Sequence, residues 1–376
     1  MTISRTLQLV RDGIAQGTHI GAQLYVSLRN EVVADEAVGE ARAGVAMRSD
    51  TLMLWLSAGK PLAAVAVAQL WERGLLDLDD PIARHIPEFA AGGKQAITVR
   101  HILTHQGGFR AVLGKWENGP WEQVIAALSA ARVEPRWEVG VTAGYHPLTS
   151  WYVLGELVRR LDGRAFDRYV REAICAPANM PDAWVGLPPE RYRAYGDRNG
   201  FMHDTSRGTP EANYFLDTEE GAAQSRPPSG ARGPARDLGK FYEMLMNRGR
   251  AAAPDSREPA SRVLSPQAVE AIAAHHRVGA YDKTFRHVVD WGLGFVLQSN
   301  RYGADTVPYN YGPHASERAF GHSGSRSSIG FCDPEHGLVV ACIFNGAPTE
   351  AQHDARTRAV VASIYEELGL VRAVRA

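Results

Sequence analysis

A serine and a lysine stand three residues apart in Ser57-Ala58-Gly59-Lys60. There an extended-looking run, Thr51 to Leu56, gives way to an apolar helical stretch through Leu70. On a helix that spacing puts both side chains on one face, with Cβ atoms roughly 5–6 Å apart. A serine hydroxyl is a poor nucleophile until an adjacent base takes its proton. A lysine can be that base once burial or neighbouring charge brings its pKa down from about 10.4. Taken alone, the tetrapeptide is also what an ordinary capped helix start looks like, since serine is a common N-cap. With 19 serines and five lysines in the chain, composition by itself yields about 0.25 Ser-x-x-Lys matches. Other chemistries find less support. His101 and His105 stand four apart, a spacing that can set two metal ligands on one face. No His-Glu-x-x-His accompanies them and no third ligand is in view, so no metal is expected. There is no Gly-x-Ser-x-Gly elbow. Nor is there a Gly-x-Gly-x-x-Gly or a phosphate-binding loop, so no cofactor is expected.

Two further segments keep Ser57 and Lys60 company. Gly144-Tyr145-His146-Pro147 precedes a helical run, Leu148 to Leu161, and Gly321-His322-Ser323-Gly324-Ser325 precedes the strand-like Ile329 to Pro334. Together the three segments resemble the penicillin-recognising serine hydrolases: class C β-lactamases, DD-peptidases, family VIII carboxylesterases and related transacylases. In that superfamily Ser-x-x-Lys, Tyr-x-Asn and Lys/His-x-Gly occur in this order at about these separations. The passages Gly74 to Pro81, Ile97 to His105, Ala235 to Leu238 and Trp291 to Phe295 also look like the family's, so the resemblance spans about residues 10–345.

The resemblance implies roles. Ser57 is the nucleophile that forms an acyl-enzyme, and Lys60 holds and deprotonates it. Tyr145 acts as base in company with Lys60 and then as acid toward the leaving group. A phenol needs cationic neighbours to be anionic at pH 7, and Lys60 is one such neighbour. The oxyanion hole is implied to be the backbone N–H groups of Ser57 and Ser325. Substrate contacts fall to His322, Ser323, Gly324 and His146. Gly324 suits a strand position where substrate approaches the backbone. Trp116 and Trp121, flanking the stretch 107–120, and Tyr302, Tyr309 and Tyr311 are candidates for an apolar pocket wall, with Trp116 and Tyr309 foremost. Ordinary packing would use the same aromatics.

Two departures narrow the substrate. Pro147 replaces the asparagine of Tyr-x-Asn and brings no polar side-chain atom and no N–H. Proline is at home in a helix's first turn, but a hydrogen bond to Lys60 or to an amide-bearing substrate is lost. His322 replaces the lysine that β-lactamases set near the substrate carboxylate, and a histidine is mostly neutral at pH 7. Both changes disfavour β-lactams and favour an ester without an essential carboxylate.

The elements that must position these groups are legible in outline. Helices are predicted over 2–16, 57–73, 121–131, 148–161, 236–247 and 350–368. A hairpin is predicted over 23–34, turning at Arg29-Asn30, and strands near 291–298, 327–332 and 338–344. Residues 200–233, rich in Gly, Pro, Ser and Thr, read as loop. The order fits a sheet made from both ends of the chain with a helical insertion between, and the resemblance implies the two-part α+β architecture of the β-lactamase/transpeptidase type. An antiparallel sheet domain from 1–56 and 236–376 carries the terminal helices, a mainly helical domain spans 57–235, and the active site lies at the seam.

The chain has 41 basic and 42 acidic residues. That balance gives no nucleic-acid or polybasic membrane surface. Three cysteines without a Cys-x-x-Cys pair argue against a disulfide framework, no apolar run reaches 18 residues, and a reduced cytoplasmic setting is expected. The sequence leaves oligomeric state open. The expected activity is hydrolysis of a small or medium carboxylic ester. Acyl transfer to an alcohol or amine, a β-lactamase or D-amino-acid amidase, and a non-catalytic binding module on the same scaffold are the alternatives.

Overall fold

A computed structural model describes residues 2–112, 116–252 and 261–371. Its centre is a seven-stranded antiparallel sheet. The strands are β1 (Gly21–Leu28), β2 (Glu31–Arg42), β3 (Val45–Ala46), β4 (Val296–Leu297), β5 (Phe320–Ser323), β6 (Ser328–Asp333) and β7 (Leu338–Phe344). Their order across the sheet is β4-β5-β6-β7-β1-β2-β3. The two ends of the chain thus meet in the middle, where Val26 pairs with Val340 and Leu24 with Cys342. The β1–β2 turn is the two-residue Arg29-Asn30, both with positive φ (53° and 68°). Those angles suit a primed turn, whose twist matches that of the flanking strands.

Strand β7 explains the layering. Its run Leu-Val-Val-Ala-Cys-Ile-Phe is buried throughout. A strand alternates its side chains between faces, and both faces of β7 are covered. Leu338, Val340, Cys342 and Phe344 join Val360, Ile364 and Tyr365 of the C-terminal helix (Glu350–Glu367) and Val10 of the N-terminal helix (Ser4–Ala15). Val339, Ala341 and Ile343 point the other way, into a core shared with Leu238, Phe241 and Leu245 of the helix Ala235–Met246.

That second core continues into the helical part. The helix Pro61–Glu72 is buried from Pro61 to Ala68 and at Leu70. A helix apolar all round belongs at the centre of a body, not on its surface. It packs beside the helix Thr149–Asp162, which ends at Gly163 with φ 88°. Residues 200–233 are not all loop. They hold the strand Ala231–Gly233, paired with Met53–Leu54 and with Trp184–Val185. They also include the helix Glu219–Ala223, and His203–Asp204 pairs with Gly346–Ala347. Strands of two or three residues carry too little periodicity to be read from sequence. No described helix is long and apolar enough to cross a membrane.

Candidate active site

Ser57 sits in a short 3₁₀ turn, Leu56–Gly59, that precedes the buried helix. The turn begins on a strained residue, because Leu56 has φ 51°. A left-handed conformation costs an ordinary side chain roughly 1–2 kcal/mol, so the surroundings must hold it. Trp55 supplies the anchorage. Its N–H donates to Ala231 O (2.8 Å) and its indole Nε1 to Gly233 O (2.8 Å). Its carbonyl accepts from Ser328 Oγ at 2.6 Å. Gly59 closes the fit, since a Cβ there would lie 2.2 Å from Ala231 Cβ.

Lys60 is fully buried. Its Nζ lies 2.6 Å from Ser57 Oγ and donates to Pro228 O, also at 2.6 Å. Burial pushes its pKa well below that of an ordinary lysine. The amine also stands over the rings of Tyr145 (5.5 Å) and Trp151 (5.6 Å). Pro147 leaves Lys60 a polar partner nonetheless, because the Pro228 carbonyl provides one. A backbone carbonyl leaves no trace in sequence.

Tyr145 is buried against Phe285 (ring centroids 4.8 Å apart, 17° between planes) and Trp291 (5.8 Å, 24°). Its Oη is buried, with the Ser57 hydroxyl as its neighbouring polar group. Burial pushes the phenol well above its ordinary pKa; the nearby Ser57 hydroxyl pulls it back in part, and Asp282 adds to the rise. The phenol therefore keeps its proton. For Lys60 as for Tyr145, desolvation disfavours the charged form, which weighs against a tyrosinate sustained by a lysine cation.

Asp282 was not singled out by the sequence, and it organises one wall. Its Oδ1 accepts from the N–H groups of Tyr145 (3.0 Å), Thr284 (2.9 Å) and Phe285 (3.0 Å). Its Oδ2 accepts from Arg277 at 3.0 Å, and both side chains are buried. Removing one member of a buried pair strands the other's charge and costs about 3–5 kcal/mol. Asp282→Ala is expected to lose that much in urea unfolding. Asp282→Asn, which keeps an acceptor for the three N–H groups, is expected to lose less. Equal losses would mean that the carboxylate's charge, not its bridging geometry, sets the wall.

The third segment forms the opposite side. His322 and Ser323 end strand β5 and are buried. His322 Nδ1 lies 2.9 Å from Ser323 O, which makes that nitrogen the N–H donor, and Nε2 has no partner. Burial and the neighbouring Lys60 lower the His322 pKa to about 3, so the ring is neutral. Ser57, Tyr145, Pro147, His322, Ser323 and Ser325 border one cavity of about 470 Å³. Its remaining wall is Thr284, Phe285, Val296, Pro308 and Tyr309, with the carboxylates of Glu350 and Asp354 at one side.

Several expected contacts are elsewhere. His146 points away from the cavity, and its Nε2 accepts from the N–H groups of Gly108 (3.1 Å) and Phe109 (3.2 Å). It shapes the loop after the helix Val99–Leu103. Packing alone requires a glycine at 324, because a Cβ there would meet Ser328 Oγ at 2.3 Å and Trp55 O at 2.5 Å. Its bareness lets the β5–β6 turn close on the nucleophile's anchor. Trp116 bonds Val112 O and packs on Tyr152, while Trp121 donates to Glu156. Tyr302 turns to Asp290, and Tyr311 donates to Val296 O from full burial. Of the five aromatics, Tyr309 alone borders the cavity. Of the stretch 107–120, residues 113–115 lie outside the described residues. His101 accepts from Thr98 N in a helix cap, and His105 lies among Tyr145, Trp151 and Trp291.

Comparison with known proteins gives this arrangement a family. The family model described as Beta-lactamase matches residues 7–363. The chain belongs to that family. It is similar to the esterase/beta-lactamase LipL of Mycobacterium tuberculosis, with 26% identity over 353 residues, 86% of this chain and 77% of LipL. It is also similar to the esterase EstB of Burkholderia gladioli, with 31% identity over 196 residues, 46% of this chain and 49% of EstB. Among solved structures, a family VIII carboxylesterase superposes with a TM-score of 0.79 at 25% identity, covering 97% of each chain. The antiparallel sheet with flanking helices is thus the β-lactamase-like fold, and esterase and β-lactamase-like relatives support a serine hydrolase.

Proposed function

We propose that this chain is a serine carboxylesterase acting on small or medium esters through an acyl-enzyme on Ser57. The observation that carries the reading is the buried Lys60 amine 2.6 Å from the hydroxyl of Ser57, which itself borders a cavity whose one imidazole among the described residues, His322, is neutral. Burial favours the unprotonated amine of Lys60, and its lone pair can take the Ser57 proton. As Oγ bonds to the ester carbon, that proton passes to Lys60 and the carbonyl π pair moves onto oxygen. The N–H groups of Ser57 and Ser325 are the donors for this oxyanion. When the C–O bond breaks, Tyr145 Oη gives its proton to the leaving alkoxide and recovers one from the Lys60 ammonium. Water repeats the sequence on the acyl-enzyme and restores the serine.

The neutral His322 also speaks to specificity, since it offers a substrate carboxylate no cation. A hydrogen bond to a charged group is worth about 1.5–3 kcal/mol, or roughly 10–100-fold in rate. A chromogenic cephalosporin is therefore expected to trail p-nitrophenyl butyrate in kcat/KM by at least that factor, with intact-mass measurements showing a butyryl adduct on Ser57. Comparable kcat/KM for the two would return the chain to the β-lactamases, and no adduct with any ester would favour a binding module.

Acyl transfer uses the same intermediate. The apolar wall of Phe285, Val296, Pro308 and Tyr309 favours it as a second reading, because it offers an organic acceptor a surface that water does not need. New ester appearing when short alcohols are added would mark it.

A further inference from the structure

The proposed esterase cavity is asymmetric in charge. Among the described residues its wall holds two carboxylates, Glu350 and Asp354, and no group that is cationic at neutral pH. His322 is neutral, and burial of Lys60, just behind Ser57, disfavours its ammonium form. The two acids stand one turn apart at the start of the C-terminal helix, where side chains four residues apart share a face. Thr349 caps that helix, so the acids are not recruited to satisfy its end. Each has only partial compensation. Arg326 Nε is 4.0 Å from Glu350, but its guanidinium bonds Pro348 O at 2.9 Å. Arg358 lies near Asp354 and bonds Ala304 O and Val307 O instead. Arg356, two residues beyond Asp354, turns away to Gly346 O and Arg326 O.

Two aromatic rings stand beside the acids. Tyr309 donates from Oη to Glu350 Oε2 at 2.8 Å, which fixes the carboxylate against the ring. Phe285 lies 5.8 Å from the Tyr309 ring, at 45°. Aromatic faces next to carboxylates are what a desolvated organic cation binds. The site also has open hydrogen-bond capacity. Ser323 Oγ is buried and unpartnered, and Ser323 borders both the main cavity and a small annexe lined by Tyr309, Asp354 and Thr357. His322 Nε2 and Thr357 Oγ1 are buried and unpartnered as well. Buried polar atoms left without partners call for an explanation, and a ligand bearing donors supplies one.

We propose that the Glu350–Asp354 side of the cavity is a binding site for an organic ammonium group, so that the ester taken by this site carries a cation. The inference rests on the esterase reading for the word ester, but the binding of a cation does not. The test accordingly measures binding, not turnover. Choline and 3,3-dimethylbutan-1-ol share one shape and one hydroxyl and differ in charge. Their dissociation constants for the intact protein can be taken by ligand-observed NMR at low ionic strength, with competition by p-nitrophenyl butyrate's product, butyrate, as a neutral-pH anion control. Choline is expected to bind at least about ten-fold tighter than its uncharged twin, a difference of ~1.4 kcal/mol, and butyrate most weakly of the three. In the double variant Glu350→Gln, Asp354→Asn the choline-to-alcohol ratio is expected to fall to about one. Because the ratio is taken within one sample, a partly unfolded variant does not distort it. Equal affinities in the unaltered protein, or a preference for choline that survives in the double variant, would overturn the assignment. A choline preference in a protein that acylates with no ester would leave the cation site standing and remove the esterase.

Discussion

Ser57→Ala is expected to abolish covalent labelling by a fluorophosphonate and to lower ester turnover by at least about 10²-fold, with the unfolding transition unchanged. The hydroxyl is the bond-forming atom in the proposed reaction, and the site offers no substitute. Ser323 and Ser325 border the same cavity, but neither has a lysine beside it. Ser323 Oγ has no partner at all. The fold should tolerate the change because the strained turn is held through Trp55 and Gly59, not through the Ser57 side chain. Residual turnover above about 1% in a normally folded sample would move the nucleophile elsewhere.

Lys60→Arg should be as damaging as Lys60→Ala, each losing at least the 10²–10⁴-fold that acid–base help typically provides. Arginine keeps a charge and can still donate to Pro228 O, yet its guanidinium does not give up a proton in proteins. If Lys60 served as a fixed cation, arginine would rescue; as a neutral base, it cannot be replaced that way. The pH profile carries the same distinction. Burial lowers the Lys60 pKa well below the ordinary lysine value, so the amine is in its basic form from a correspondingly lower pH. Activity should fall as pH drops through that lowered pKa and hold on the alkaline side of it. A limb rising only near the ordinary lysine value would show that the amine is not desolvated. In Tyr145→Phe the acid limb should persist with a lower plateau, since Lys60 still sets it. If the double variant loses no more than the worse single one, the two act as one proton-handling unit.

The site was more legible than its surroundings, for physical reasons. Ser57, Lys60 and Tyr145 are side chains whose identity is their chemistry, and the structure brings Ser57 and Tyr145 to one cavity with His322, Ser323 and Ser325 and sets Lys60 directly behind Ser57. The long elements were legible as well. The buried helix after Ser57, the Arg29-Asn30 hairpin and the continuous apolar strand β7 each carry a period or a turn signal strong enough to read. What was missed is held by backbone or by remote sequence. The Pro228 carbonyl and the left-handed Leu56 have no composition to betray them. Asp282 resembles any loop aspartate until its three N–H partners are seen. His146 and Gly324 were assigned to substrate because they sit inside motifs, yet packing uses both. The acids of the C-terminal helix, more than 290 residues from Ser57, could be linked to it only by the sheet.

The pairing of β1 with β7 sets a schedule for the nascent chain. Residues 22–28 find their partners at 338–344, and the Trp55 anchor likewise waits for 231–233 and Ser328. At about 5–20 residues per second, β1 leaves the ribosome roughly 15–60 s before the strand it must lie against exists. Contacts this distant in sequence are slow to close even in a finished chain. The nucleophile, its lysine and its tyrosine are all synthesised within the first half of the protein, but the catalytic turn has nothing to brace it until the last quarter arrives. A prematurely terminated product, though it carries every proposed proton-handling residue, should therefore be inert toward esters, and emergence of labelling during synthesis would report completion of the sheet.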